Sequence, residues 1–392
     1  MTRARRALVI AWAAEPAVRY QYASERGQRK KLKKTLAVLL TTVTAAGLLL
    51  AGCGAPSGAS GTPAPGASGG VVNVYNWGVY IDESVLDDFT QETGIKVNYD
   101  TYDSNESMYG VLKNDGASYD VIIPSDYMIS RMIEEDMLEP LDFNNIPNFS
   151  DIDPSLKNPG YDPDNLYSVP YMWGVLGVIY NTTMVEGTPD SWGLLFDPAY
   201  AKQILMFNNS RDGMGIALKY LGYSYNTADP AEIQAATDLL IQQKPLVQSY
   251  VMDEVFEKMQ SGSAAVCSYY YGDYRTMADV NPDLAFYVPK EGSNLYVDAM
   301  CIPKNAENKA NAEAFINFMC STQAGLKNCE ETWYSTPLLS VRAELDEELV
   351  NNPDAYPDST FLSNRCEVYQ NLPQDILALY DSEWTRLMLA EG

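Results

Sequence analysis

Residues 71–135 alternate between two kinds of hydrophobic spacing, and no other feature of the chain constrains its fold as strongly. Val72 and Val74 alternate with Asn73 and Tyr75, which is the two-residue period of a strand. The run breaks at Asn76-Trp77-Gly78. Val85, Leu86 and Phe89 then fall at helical spacing over 82–93, and Gly94 supplies a C-cap. Ile95-Lys96-Val97-Asn98-Tyr99 reads as a second strand, and 107–113 as a second helix. Tyr119-Asp120-Val121-Ile122-Ile123 reads as a third strand that stops at Pro124, with a third helix over 128–135. Such strand–helix units predict a parallel, doubly wound α/β sheet. Ligands collect at the carboxyl ends of such strands, where Trp77-Gly78 and Ser125-Asp126-Tyr127 both open. Taken alone, Trp77 is read equally well as a core indole beside a turn glycine.

At 392 residues the chain is too long for one core and predicts two lobes. A long apolar strand at 175–181 is expected to run from one lobe into the other. A second α/β region follows, with a strand at 204–207, a loop at 208–213, and helices at 214–221 and 231–243. A strand at 264–267 leads into Ser268-Tyr269-Tyr270-Tyr271-Gly272-Asp273. Strands at 284–288 and 296–302, the latter a return crossing, and helices at 311–319, 322–331 and 374–389 complete the prediction.

Several chemistries are excluded by composition. The chain has no histidine, which removes Ser-His-Asp and Cys-His nucleophile systems, histidine bases and His-ligated zinc or haem. Ten of the 27 basic residues, but two of the 52 acidic ones, fall in 1–52, leaving 17 against 50 in the remainder. A field of that sign repels nucleic acid and anionic lipid and attracts cations. Tyrosine outnumbers phenylalanine 28 to 10, a bias towards rings with a polar tip.

Arg29-Lys30-Lys31-Leu32-Lys33-Lys34 precedes an uncharged apolar run that ends in Leu50-Ala51-Gly52-Cys53. This arrangement resembles a bacterial lipoprotein signal, which implies cleavage before Cys53 and lipidation of its thiol. An uncleaved membrane anchor is the plainer alternative. Residues 1–52 are thus read as a leader, of which 1–26 fit no signal pattern and suggest an overextended start. Residues 53–70 are read as a flexible tether of Gly, Ala, Ser and Pro. The remaining cysteines show no C-x-x-C spacing, so a zinc or iron–sulfur site is not expected; a Cys320–Cys329 disulfide stays open.

The predicted strand ends share one chemistry. They carry Trp77 and Tyr80, Ser125 and Tyr127, Asn209 and Asp212, Tyr270 and Asp273, Tyr296 and Asp298, and Tyr334. In a two-lobed α/β protein such ends converge on the cleft between the lobes. Rings around carboxylates suit an organic ammonium: each well-placed ring attracts the cation by about 0.5–2 kcal/mol, and the acids accept its N–H donors. A glycan also likes rings and acids. Singly, each of these residues is more readily structural; the repetition carries the reading.

Across 71–391 the chain resembles the substrate-binding proteins of spermidine/putrescine ABC transporters. The resemblance rests on Tyr75-Asn76-Trp77, Phe89-Thr90-Gln91-Glu92-Thr93-Gly94-Ile95-Lys96-Val97, Tyr119-Asp120-Val121-Ile122-Ile123-Pro124-Ser125, Tyr167-Ser168-Val169-Pro170-Tyr171-Met172-Trp173-Gly174 and Val288-Pro289-Lys290-Glu291-Gly292. It implies a two-lobed type II periplasmic-binding-protein fold, each lobe a mostly parallel sheet flanked by helices. Residues 71–175 and 299–341 form the first lobe in this reading, and 176–298 and 342–392 the second. The implied protein is an exported monomer, lipid-anchored to the outer face of the cytoplasmic membrane. It has no enzymatic activity, cofactor or metal, and it delivers a polyamine to a membrane permease.

Position by position, the resemblance gives Trp77, Tyr80, Ser125 and Tyr127 to ligand contacts from the first lobe. It makes Tyr270 and Tyr296 aromatic walls, Asp298 the partner of a central or secondary amine, Asp212 an acid at one terminal amine, Asp273 the match of an acid seen in putrescine-type members, and Tyr334 a closing residue. Gly78 stands where the family has a hydroxyl, Asn209 where spermidine-type members have a second acid, and Tyr270 where they have tryptophan. A further contact is expected within 367–370. Three alternatives remain: a same-fold carrier of another amine, an amino acid or an oligosaccharide; a glycoside hydrolase using an acid pair such as Asp212 and Asp298; and a ferric-iron carrier using the Tyr269-Tyr270-Tyr271 run, of which at most two can share a site because consecutive strand residues alternate sides, so that the run reads as a wall. An anion carrier would need more basic residues near the strand ends than Arg211 and Arg275.

Overall fold

The computed structural model describes residues 69–114 and 118–391. The expected leader, Cys53 and all but the last two residues of the expected tether lie outside them. The first unit is β1 (Gly70–Trp77), α1 (Ser84–Thr93), β2 (Ile95–Tyr102), α2 (Asn105–Lys113), β3 (Val121–Ile122) and α3 (Asp126–Glu134). Both β2 and β3 run parallel to β1, as the alternating pattern predicts. Helix α1 stops at Gly94, whose φ of 75° is the left-handed conformation that glycine adopts without strain. Val72 and Val74 enter a core with Phe89 and Phe315, whereas Tyr75 enters one with Tyr102, Met108 and Met128. The sheet is therefore covered on both faces, and the two-residue period sorts side chains between them.

Chain order continues with β4 (Ser168–Asn181), β5 (Ile204–Phe207), α4 (Ser210–Tyr220), α5 (Pro230–Gln243), β6 (Val247–Val251) and α6 (Glu254–Gln260). Next come β7 (Val266–Tyr270), α7 (Tyr271–Ala278), β8 (Leu284–Tyr287), β9 (Ser293–Cys301), α8 (Lys309–Met319) and α9 (Thr322–Thr332). After short helices within 339–365, β10 (Cys366–Glu367) and α10 (Gln374–Leu389) end the described chain.

The strand order β2-β1-β3-β9-β4-β7-β5-β6 contains two parallel triplets separated by β9 and β4. The expected mostly parallel sheets are the two triplets, and the crossing and returning strands between them pair antiparallel. The first half of β4 pairs antiparallel with β9, from Ser168–Cys301 to Val175–Leu295, and its second half pairs antiparallel with β7 and β8. One continuous, fully buried strand thus belongs to both sheets, and β9 returns beside it in the opposite direction. The second sheet has its own core, with Trp192, Phe207, Ile216 and Leu240 among its members.

Two local departures bear on the site. Strand β7 runs three residues beyond its predicted end at 267, and Tyr271 already begins α7. Strand β6 has no counterpart among the predicted elements; only its two terminal valines are buried, so its interior reads as surface. The five described cysteines are unpaired thiols, so Cys320 and Cys329 form no disulfide. No helix of the described residues is long and apolar enough to cross a membrane.

Candidate functional site

Where the two sheets meet, a cleft opens with an empty volume of about 920 Å³, its solvent-open part included. All twelve sequence-predicted site residues line it: Trp77, Gly78, Tyr80, Ser125, Tyr127, Asn209, Asp212, Tyr270, Asp273, Tyr296, Asp298 and Tyr334. The first wall forms where β1 ends. The Asn76 side chain accepts the Trp77 N–H at 2.8 Å, which terminates the ladder, and the Trp77 indole N–H is spent on the Ile123 carbonyl at 2.9 Å. What the indole offers the cleft is its face, tilted on Tyr102 at a centroid distance of 4.7 Å.

Three of the buried carboxylates lining the cleft are each held by a tyrosine hydroxyl. Asp298, on β9, accepts the Tyr80 hydroxyl at 2.7 Å and the Ser125 hydroxyl at 2.6 Å. Ser125 is positioned in turn by Asn105, whose amide meets its backbone N–H and its hydroxyl. Asp212, in the first turn of α4, accepts the Tyr270 hydroxyl at 2.8 Å and the Asn209 amide at 2.9 Å. Asn209 also caps α4 by accepting the Asp212 N–H at 2.8 Å, so both ends of its side chain hold that acid in place. Asp273, on α7, accepts the Tyr334 hydroxyl at 2.7 Å.

Burial shifts all three towards protonation. Asp298 is pushed up to about 6, with the Ser125 and Tyr80 hydrogen bonds opposing the rise and the Asp212 charge adding to it. Asp273 is pushed up to about 8, opposed by the Tyr334 bond and helped by the charge of Asp253. Asp212 is raised by burial as well, against the hydrogen bonds of Asn209, Tyr270 and Tyr369. In each case desolvation leads, which is the condition of acids awaiting a counter-charge.

Rings connect these acids. Tyr270 meets Tyr296 edge-on at 5.1 Å, Tyr296 meets Tyr334 at 6.3 Å, and Tyr334 meets Tyr80 at 4.7 Å. Two glycines make room for this chain of rings. A β-carbon at Gly272 would lie 2.3 Å from the Tyr334 ring, and one at Gly174 would lie 2.5 Å from the Tyr296 hydroxyl.

Sequence reasoning missed several lining residues. Within 367–370, Tyr369 lines the cleft: its hydroxyl lies 3.2 Å from Asp212 and 3.0 Å from the Arg211 carbonyl. Asp126 is wholly buried, and its carboxylate accepts the Val297 N–H at 3.2 Å, pinning β9 beside α3. The Tyr127 hydroxyl donates to Glu106 at 2.9 Å. Met252 and Asp253, in the turn after β6, and Phe256, on α6, form a further wall beyond the strand that surface-like patterning concealed. Arg211 is the one basic residue among the described residues lining the cleft. Its guanidinium is turned onto the rings of Tyr369, Tyr127 and Tyr380, at 4.6, 5.2 and 5.6 Å.

The tyrosine run does not form a three-membered chelate. Tyr269 and Tyr270 reach the cleft, but Tyr271 packs against Tyr274 and Phe286 in a core. The site as built offers an elongated, ring-walled space with buried acids at separate points, suited to a flexible cation with more than one positive centre.

Comparison with known proteins agrees with that geometry. Residues 84–357 match the family model described as bacterial extracellular solute-binding protein. The spermidine/putrescine-binding periplasmic protein of Salmonella typhimurium is 36% identical over 316 residues, covering 80% of this chain and 90% of that protein. A putrescine-binding periplasmic protein of Pseudomonas aeruginosa is 29% identical over 343 residues, covering 83% of this chain and 93% of the relative. Among solved structures, a putative spermidine/putrescine ABC transporter protein from Listeria monocytogenes is similar at a TM-score of 0.79 and 40% identity. That likeness covers 82% of this chain and 99% of the other.

Proposed function

Because this chain belongs to the bacterial extracellular solute-binding proteins, we propose that it captures a polyamine, spermidine or putrescine, in the cleft and hands it to the permease of an ABC importer. One observation carries the reading: three buried carboxylates, each hydrogen-bonded by tyrosine, share a ring-lined cleft in which Arg211, the one basic residue among the described lining residues, is engaged by rings of its own. An ammonium entering such a site gains charge-assisted bonds that neutral tyrosine donors supply only in part. The methylene chain between ammonium groups packs on the faces of Trp77, Tyr270 and Tyr296. Asp298 holds the central amine or second ammonium, Asp212 and Asp273 hold the ends, and Asn209 orients Asp212.

The same reading takes 71–175 with 299–341 and 176–298 with 342–392 as the two lobes that close on the amine. It gives the protein no catalytic step and makes it a monomer. Cys53 is taken as its lipid anchor on the outer face of the cytoplasmic membrane. Partition of the full chain into a detergent phase, abolished in Cys53→Ser, tests that anchor. A thermal-shift screen against putrescine, cadaverine, spermidine and spermine, with glucose and glutamate as controls, tests the ligand class. Amine at a hundred times its Kd adds roughly 2.7 kcal/mol of stability. A shift with a control and none with any amine would assign the cleft to another solute.

A further inference from the structure

Arg211 is out of place twice. It stands in the first turn of α4, at the positive end of the helix dipole, where a cation is unfavourable. It is also buried, at 5% exposure, in a cleft whose other ionisable residues, among those described, are acids and tyrosines. Hydrogen bonds hold its side chain weakly. Nη2 donates to the Asn226 side chain at 3.3 Å and to the Gln370 carbonyl at 3.4 Å, while Nε and Nη1 have no hydrogen-bond partner among the described residues.

Rings hold it instead. The guanidinium centre lies 4.6 Å from the Tyr369 ring, 5.2 Å from that of Tyr127 on α3 and 5.6 Å from that of Tyr380 on α10. Each distance is within the reach of about 6 Å over which a ring attracts a cation. Two of these rings are tied to acids that line the cleft. The Tyr127 hydroxyl donates to Glu106 at 2.9 Å, and the Tyr369 hydroxyl lies 3.2 Å from Asp212. Rings with carboxylates at their rim are the surroundings that hold an alkylammonium. Here the protein's own guanidinium occupies them.

The same residues separate the cleft from a second space. Tyr369 lines the cleft and also a cavity with an empty volume of about 1010 Å³, its solvent-open part included. Leu295 and Val297 face that cavity, whereas Tyr296 and Asp298, which alternate with them along β9, face the cleft. Gln370, which accepts from Arg211, lines the second cavity as well. An amine too long for the cleft meets the Tyr369–Arg211 pair before it reaches that space.

Resting on the polyamine reading above, we propose that Arg211 is a specificity-determining residue that sets the length of amine the cleft accepts. Its guanidinium fills the ring-lined subsite beyond Asp212 that a further ammonium of a longer polyamine would need, and repels that ammonium. A diamine or triamine whose charge ends at Asp212 stops short of it. A tetraamine brings a like charge against a buried cation, where little water screens the repulsion.

Calorimetric titration of putrescine, spermidine and spermine into the unmodified chain, Arg211→Met, Arg211→Gln and Arg211→Lys tests this, with circular-dichroism melts of each unliganded protein as the check on folding. The unmodified chain is expected to bind spermine more weakly than the shorter amines. In whichever neutral variant folds, the affinity for spermine relative to putrescine is expected to rise by roughly tenfold or more. Arg211→Lys keeps the charge and is expected to keep the discrimination. A residue that only supports the fold would weaken all three amines alike, so an unchanged spermine-to-putrescine ratio in a folded neutral variant would overturn the assignment. So would an unmodified chain that binds spermine as tightly as putrescine, or an Arg211→Lys that gains spermine as the neutral variants do. If the unmodified chain bound no amine at all, the reading on which this assignment rests would fail, a result distinct from each of those.

Discussion

Asp298 and Asp273 hold protons that a solvated carboxylate would release, because desolvation outweighs the hydroxyls that bond them. The sign of the consequence follows from linkage. Asp273 moves from an ordinary 3.8 to about 8, so between those values the folded protein binds more protons than the unfolded chain. This acid therefore contributes stability that declines as pH rises through that window. In unliganded protein, the change in Tm between about pH 5.5 and about pH 8.5 should be less unfavourable in Asp273→Asn than in the unmodified chain. Identical pH profiles would contradict the burial argument. Amine capture runs the other way, since the cation binds the ionised acids, so affinity should rise over the same range. At this scale much of the site is legible in the sequence: Asp212 and Asp273 follow strands β5 and β7 within a few residues, and Asp298 lies two residues from Tyr296, although inside β9 and not at its end. Asp253 is not legible, because its strand, Val247–Val251, buries only its terminal valines and leaves no strong alternation. Nor is the double use of Asn209, whose cap and acid contacts require the folded turn.

At the level of elements, α7 packs closely against Tyr334, two residues beyond the end of α9. Trp333 ends α9 with a φ of 63°, a left-handed conformation unusual for a bulky residue, and so turns Tyr334 towards Gly272 and Asp273. Arg275 lies over the Trp333 ring at 4.9 Å, a second contact between the same two elements. Gly272→Ala would drive a β-carbon to 2.3 Å from the Tyr334 ring and strain its bond to Asp273. We expect a loss of about 1–3 kcal/mol of stability, the usual cost of overpacking, together with weaker amine binding. Urea denaturation checks the first and calorimetry the second; a neutral variant would mean that this contact is loose. Periodicity reports elements well where one face is buried, as the 374–389 helix shows, whereas the fully buried 204–207 strand is legible as a short apolar run. It reports connections poorly. The start of α7 at Tyr271 is hidden by three consecutive tyrosines that would be equally at home in a strand.

Across the whole molecule, two parallel triplets are joined by antiparallel β4 and β9, and the site lies where that exchange of sheets occurs. The alternation over 71–135 predicts the first triplet, while the antiparallel centre depends on pairings more than a hundred residues apart that local patterning does not carry. The surplus of 50 acids over 17 bases beyond residue 52 gives the molecule a field that favours cations in general. In the proposed reading, selection among cations comes from the buried acids, and Asp298 is the one expected to matter most. The decisive measurement is isothermal titration of spermidine and putrescine into the unmodified chain and into Asp298→Asn at one pH and salt concentration. Saturable one-to-one heat with the unmodified chain, and an affinity at least roughly tenfold weaker in a variant that still folds, is the predicted result. No heat with either amine, or equal affinity in both proteins, would contradict the account.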